Sequence, residues 1–202
     1  MIRMRSPAFL GSLITPATAA PTPSLVYFGA TGFAIMQLQG LAGADAFVPA
    51  ANYKITTLEV GLACFSPSSG QVRAHIMGTT GGTLPFGVGY VPTGVSLGAS
   101  TGTINLATVV STGWDAQQTF PCTFNFSSAN ISVLANTVYA VVLVAESFGG
   151  VAWGANIKSL GSADWPTVGH RICKTTNNIT NWSSVGVYDS YGLHFNLYGT
   201  PN

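Results

Sequence analysis

The residues able to perform acid–base or metal chemistry are few and widely scattered along the chain. None of the histidines at positions 75, 170 and 194 lies in a His-x-His or His-Glu-x-x-His spacing, so no metal site is predicted. The sequence also lacks a Gly-x-Ser-x-Gly nucleophile elbow and a phosphate-binding glycine loop. A glycosidase needs two carboxylates that flank the scissile bond, and no local pattern brings two together here. We therefore predict a protein that is not an enzyme and has no cofactor, unless two of its carboxylates meet in a cleft. The six carboxylates are Asp45, Glu59, Asp115, Glu146, Asp164 and Asp189.

Tryptophans supply the second candidate chemistry, the binding of sugars by aromatic rings. Trp165 and Trp182 lie in turn-rich stretches, with Asp164 and Asn181 close by in the sequence. Such a mixture of aromatic rings, carboxylates and amides is typical of a glycan-binding site. The alternative is that these aromatic side chains fill the ends of a β-sandwich or lie in subunit contacts, where Trp and Tyr are enriched.

Three cysteines, Cys64, Cys122 and Cys173, are far apart, and no Cys-x-x-Cys pair exists. A zinc or redox motif is therefore not indicated. Each cysteine lies in an apolar, strand-like run, which favours buried reduced thiols. One disulfide bond remains an open alternative, because the spacing does not decide it.

Composition limits the function classes. Only 6% of the 202 residues are charged, against roughly 25% in an ordinary soluble domain. The hydrophobic fraction of 47% is too high for a disordered chain, and a net charge of +1 without a basic cluster argues against nucleic-acid binding. The longest apolar run, residues 138–145, is far short of the roughly 18 residues of a membrane-spanning helix. So little charge protects poorly against association, and we expect partner proteins, including copies of the same chain, to cover much of the surface.

The first 23 residues differ from the rest. A basic start, a short apolar stretch and the small residues 17–19 resemble a secretory signal, but the apolar stretch is only about seven residues long. Prolines at positions 7, 16, 21 and 23 disfavour a long helix. We expect residues 1–23 to be an extended arm that is held by a neighbouring subunit. Its candidate assembly residues are Arg3, Arg5, Phe9, Leu10, Leu13 and Ile14.

Residues 24–202 are predicted to form one all-β domain. Residues 24–28 and 33–39 suggest a first hairpin, and residues 54–65 and 71–77 suggest a second around the turn at 67–70. In the second, Leu58, Val60 and Leu62 alternate with the outward residues Thr57 and Glu59. Residues 78–102 are Gly-rich and suggest a long loop or short edge strands, and further strands are predicted at 103–109, 119–126, 151–157, 171–175 and 192–198.

The run at residues 137–145 is continuously apolar and rich in valine. Such a run indicates a central strand that is covered on both faces. Many short strands that are separated by turn residues, without a helical stripe, favour an antiparallel β-sandwich with jelly-roll-like connections.

The order of several segments resembles a jelly-roll module that is common in tailed-bacteriophage virion proteins and in some bacterial surface proteins. The segments are Ile55-Thr56-Thr57-Leu58, then Gly113-Trp114 and the 120–126 strand, then Leu134 to Leu143, Trp153, Asn181-Trp182-Ser183 and the closing Phe195 to Gly199. The likeness covers about residues 50–200. Asn136 stands where the pattern usually has Gly, but Asn also tolerates a left-handed turn.

This resemblance implies a structural role in the virion, either as a decoration of the head or as part of a fibre or tail. It implies the major capsid protein or another virion protein as the partner and transfers no catalytic residue. The sequence therefore predicts a non-enzymatic virion protein that is a homo-oligomer, binds no nucleic acid or membrane, and attaches through its arm. The alternative function is a glycan-binding module for attachment to a host surface.

Overall fold

The computed structural model describes residues 24–28, 34–37, 42–64, 70–80, 91–109, 120–146, 151–157, 173–175, 182, 191–193 and 195–202. Within these residues the chain forms β-strands and one 3-10 turn at Leu106–Thr108, and no α-helix. The strands are β1 Ser24–Phe28, β2 Ala34–Gln37, β3 Ala42–Phe47, β4 Tyr53–Cys64, β5 Gln71–Thr80, β6 Val91–Ala99, β7 Ile104–Asn105, β8 Phe120–Asn125, β9 Ser132–Val133, β10 Tyr139–Ala145, β11 Val151–Ile157, β12 Cys173–Thr175, β13 Tyr191–Leu193 and β14 Phe195–Pro201.

These strands form two antiparallel sheets. The first sheet has the order β1-β14-β4-β11-β13, with β2 paired to β11 and with β8 and β9 paired to β4. The second sheet has the order β12-β3-β10-β5-β6, with β7 paired to β5. Their inner faces share one apolar core, so the predicted all-β sandwich is confirmed. The jelly-roll-like connectivity stays a prediction.

The alternation of β4 was predicted correctly, but its pairing with β5 was not. Leu58, Val60 and Leu62 of β4 are buried in the same core as Val72 and Ile76 of β5. The two strands belong to opposite sheets and are not a hairpin. Alternation determines which side chains face the core, but it does not determine which strand supplies the hydrogen bonds. A short connection can join strands across a sandwich as well as within one sheet.

The predicted hairpin of β1 and β2 is also wrong. β1 pairs with β14 from the other end of the chain, and β2 pairs with β11. Their partners are therefore more than a hundred residues away in the sequence. Turn residues indicate pairing only between strands that follow each other along the chain, so they could not identify these partners.

The central strand was predicted correctly. β10 lies between β3 and β5. Tyr139, Val141 and Leu143 enter the sandwich core, while Ala140 and Val142 belong to a second apolar cluster on the outer side of the sheet. A strand that is buried on both faces must be apolar at successive positions, which explains its unbroken run of valine and alanine.

Other boundaries needed correction. β3 was not predicted. The Gly-rich segment contains β6, which lies at the edge of the described second sheet, as one of the two predicted alternatives had it, but is nine residues long. Of the residues predicted as a strand at 103–109, Ile104–Asn105 form one, because the Asn105 side chain accepts a hydrogen bond from the Ala107 amide at 3.0 Å and starts the 3-10 turn. Asn136 has a φ of 57°, which confirms the expected left-handed turn.

Candidate functional site

The outward face of the first sheet carries six polar side chains in two rows, which we call the polar grid. Thr123, Glu59 and Asn196 form the first row across β8, β4 and β14, and Asn125, Thr57 and Tyr198 form the second. The intervening residues Leu58, Phe124 and Leu197 face the core. With strands about 4.8 Å apart and a rise of about 3.4 Å per residue, the grid covers about 10 Å by 7 Å.

Glu59 is the centre of the polar grid. Its Oε2 accepts a hydrogen bond from the Tyr198 hydroxyl at 3.0 Å and another from Nδ2 of Asn196 at 3.4 Å. The hydrogen bond to Glu59, with smaller contributions from burial and the carboxylate charge, raises the pKa of Tyr198 above its usual value. The phenol therefore remains a protonated donor, and two donors from β14 fix the orientation of the carboxylate on β4.

Both strands that flank Tyr198 are irregular beside it. On β4 the register passes from Thr57 opposite Tyr198 to Ile55 opposite Gly199, so Thr56 is an extra residue. On β1 the register passes from Leu25 opposite Tyr198 to Tyr27 opposite Leu197, which leaves another extra residue there. Such bulges increase local twist, re-aim side chains and are over-represented next to functional sites.

A second group of polar side chains lies on the outward side of β5 in the second sheet. The Arg73 guanidinium forms an ion pair with Glu146, and its Nη1 donates to the Ser100 carbonyl oxygen at 3.3 Å. Nδ1 of His75 lies 3.0 Å from Oγ of Ser96. Burial lowers the pKa of His75 and the nearby Arg73 lowers it further, while Glu146 acts in the opposite sense. These contacts join β5 to β6 and to the end of β10.

Charged side chains are few on the described surface. Five charged side chains are described, and four of them are buried or engaged by other side chains. Asp45 is fully buried on β3, Arg73 and Glu146 are paired, and Glu59 is held within the polar grid. The described part of the exterior therefore consists mainly of hydroxyl, amide and apolar groups.

Of the predicted glycan-contact residues, only Trp182 is described. It is half-buried and packs against the cluster on the outer side of the second sheet, formed by Ala42, Ala44, Met77, Ala140 and Val142. This contact lies on the face of the second sheet, so it matches neither the filling of a sandwich end nor a subunit contact, and it leaves the predicted glycan contact untested. Trp165, Asp164 and Asn181 lie outside the described residues, as do the six candidate arm residues and the rest of residues 1–23. The glycan contact at these positions and the arm therefore stay predictions.

Cys122 is a free, buried thiol. Burial raises its pKa to about 11, so the thiolate is disfavoured and the side chain is unreactive. The alternative of one disulfide bond therefore concerns Cys64 and Cys173, whose side chains lie outside the described set.

Among the described side chains, no group of three or more His, Cys, Asp or Glu residues is placed to hold a metal ion. The described residues also include no helix with the length and apolar character of a membrane span.

A scan against protein-family models finds no match, and a search of curated proteins finds no relative.

The alternation predicted at 54–65 placed Thr57 and Glu59 on an outward face but did not bring them together with Asn196. The available signal was the alternation within each strand. The missing information was the register between β4 and β14, whose residues Glu59 and Asn196 are 137 positions apart.

Proposed function

We propose that this chain is a non-enzymatic structural protein of a bacteriophage virion, a jelly-roll-like β-sandwich that decorates the head or forms part of a fibre. It attaches through residues 1–23 to the major capsid protein or another virion protein and associates with further copies of itself. The sequence resemblance supplies the virion context, and the sandwich fold is consistent with it.

One observation carries the proposal: the described exterior offers little unengaged charge and exposes large apolar side chains. Val95, Leu97 and Leu134 are 68%, 46% and 54% exposed. A soluble protein usually depends on surface charge to resist association. An exterior of this composition is suited to a molecule whose neighbours cover it.

The attachment would be apolar in character. Burial of one large apolar side chain contributes roughly 1.5 to 3 kcal/mol, so burial of Phe9, Leu10, Leu13 and Ile14 would contribute about 6 to 12 kcal/mol. Association costs about 4 to 15 kcal/mol in lost freedom, so one arm gives a modest net affinity. Many copies on a regular lattice multiply that affinity through avidity.

The first test measures incorporation into particles. We expect deletion of residues 1–23 to abolish incorporation, as measured by quantitative mass spectrometry of purified particles. The combined variant Phe9→Ser, Leu10→Ser, Leu13→Ser and Ile14→Ser should have nearly the same effect. The variant Arg3→Gln with Arg5→Gln measures the separate contribution of charge, which we expect to be smaller. Unchanged incorporation of the deletion variant would contradict the role of the arm.

The second test uses the purified full-length chain. We expect light scattering after size-exclusion chromatography to show a homo-oligomer, and limited proteolysis of that oligomer to spare the arm. A stable monomer whose arm is cleaved at once would refute the proposed covering by sister molecules.

A further inference from the structure

We propose that the polar grid on the outward face of the first sheet is a binding surface for a neutral glycan. This inference concerns a different surface from the tryptophan pair and does not depend on the arm or on the virion role. It rests on the placement of six hydrogen-bonding side chains in two rows over about 10 Å by 7 Å. That footprint suits one or two sugar rings lying flat on the sheet.

The grid presents both donors and acceptors to a ligand. Within the described part of the chain, Oε1 of Glu59, Oδ1 of Asn196 and the hydroxyls of Thr57 and Thr123 make no hydrogen bond. Thr123 is exposed, and the other three side chains are half-exposed. A carboxylate oxygen accepts from sugar hydroxyls, and charge-assisted bonds of this kind are stronger than neutral ones. The threonine hydroxyls can either donate or accept.

Glu59 is ordered before any ligand arrives. The Tyr198 hydroxyl and the Asn196 amide already hold Oε2, at 3.0 Å and 3.4 Å. Because the carboxylate is fixed by its neighbours, a ligand does not have to immobilise it, and the entropic cost of binding is lowered. The half-exposed Tyr198 ring adds an apolar surface beside these polar groups.

Charge selects the class of glycan. Glu59 is the one charged residue among the six. Lys54, the basic residue on the described part of this face, lies one row beyond the grid, beside Thr200 and Ser132 and not beside Glu59. A sialylated, sulfated or uronic-acid glycan would place a negative charge near this carboxylate and would be repelled. The grid therefore favours neutral hexose and N-acetylhexosamine oligosaccharides.

An ordinary solvent-exposed sheet face would also be polar, but two features distinguish this one. The carboxylate is held by two donors from another strand, and the extra residues of β1 and β4 both lie beside Tyr198. Bulges on both sides of one strand change the orientation of the side chains at the level of the grid.

The test is a glycan array probed with the full-length chain, followed by calorimetry with the best oligosaccharide. The array should hold neutral hexose and N-acetylhexosamine oligosaccharides beside their sialylated and sulfated counterparts. We expect binding to neutral members only, and at least a tenfold weaker affinity for Glu59→Gln and for Thr123→Val. Glu146→Gln makes the same change in charge on the other sheet and should bind like the wild type. Thermal melts of each variant verify folding.

Three outcomes would overturn the proposal. The first is no binding by the wild-type chain to any neutral glycan. The second is binding that Trp182→Ala abolishes and Glu59→Gln leaves intact, which would assign the glycan to the tryptophan surface. The third is a change of oligomeric state in Glu59→Gln without glycan binding, which would make the grid a contact between copies. Deletion of residues 1–23 should leave calorimetric binding of the glycan unchanged. The glycan-binding proposal and the proposed role of the arm can therefore be refuted independently of each other.

Discussion

A methyl group at Gly98 on β6 should destabilise the fold, because it would collide with Ile131. A Cβ built on Gly98 lies 2.6 Å from both Cδ1 and Cγ1 of Ile131 and 3.3 Å from Cβ of Ala129. Ile131 is itself buried, and its carbonyl oxygen accepts a hydrogen bond from the Ile55 amide at 2.9 Å. The isoleucine is thus anchored to the first sheet while its side chain packs on the second.

The cost of Gly98→Ala follows from these distances. Carbon atoms pack best at about 3.5 to 4.0 Å, so the Ile131 side chain must move by about 1 Å. Overpacking a well-filled core by one methyl group typically costs about 1 to 3 kcal/mol. We expect Gly98→Ala to lower the free energy of unfolding by about 2 kcal/mol, at the centre of this range.

A double-mutant cycle tests the cause. Ile131→Ala alone removes the colliding atoms and leaves a cavity, at a cost of about 2 to 5 kcal/mol. In the Gly98→Ala background the new methyl group occupies part of that cavity, so the double variant should be more stable than the sum of the single effects by about 1 to 2 kcal/mol.

Urea unfolding of the full-length chain measures each free energy. Gly78→Ala on β5 is the matched control, since its Cβ would meet only Thr93 Cγ2, at an ordinary 3.7 Å. We expect this control to be neutral or to stabilise by up to about 1 kcal/mol, because alanine restricts the unfolded chain. Additive effects of Gly98→Ala and Ile131→Ala, or equal effects at Gly98 and Gly78, would refute the reasoning.

Three further predictions concern single residues. Because burial raises the pKa of Cys122 to about 11, its thiol should resist Ellman's reagent at about pH 8 until urea unfolds the chain; rapid modification of a folded Cys122 would contradict this. Burial lowers the pKa of His75 below 6.5, so its contribution to stability is present above that value and is lost as the pH falls through the folded pKa. NMR titration of the ring should give a midpoint below 6.5, and a midpoint above it would refute the assignment. Asn136 has a φ of 57°, so Asn136→Val should cost about 1 to 2 kcal/mol in urea unfolding while Asn136→Gly is nearly neutral; equal effects would argue against the left-handed turn.

The sequence patterns within single strands predicted two kinds of strand. One kind has an apolar face and a polar face, and the other is apolar on both faces. The alternation of β4 identified the inward Leu58, Val60 and Leu62 correctly, and the unbroken apolar run identified β10. Each of these signals depends on burial along one strand. Pairing depends on chain connectivity and on contacts between distant segments, and both predicted hairpins were wrong for that reason.

The strand β3 shows how a buried polar group can conceal a strand. Its outward residues Ala42, Ala44 and Ala46 are small and buried, so the strand has no polar outward face. On the inward side, Asp45 stands opposite Val141 and is fully buried. A carboxylate is rarely buried without a partner, and an Ala-Gly-Ala-Asp-Ala sequence therefore suggests a loop when its surroundings are unknown.

The polar grid depends on a feature that strict alternation excludes. Ile55 and Leu58 are both fully buried although they are three residues apart, whereas an undisturbed strand would point them to opposite faces. The extra residue at Thr56 allows both Ile55 and Leu58 to face the core, because the register shift beside Tyr198 returns Ile55 to the inward side. Without that shift, either Ile55 would be exposed or Leu58, Val60 and Leu62 would turn outward and Glu59 would enter the core. The apolar residues on both sides of Thr56 thus impose the bulge, and the bulge keeps Glu59 on the outward face beside Tyr198.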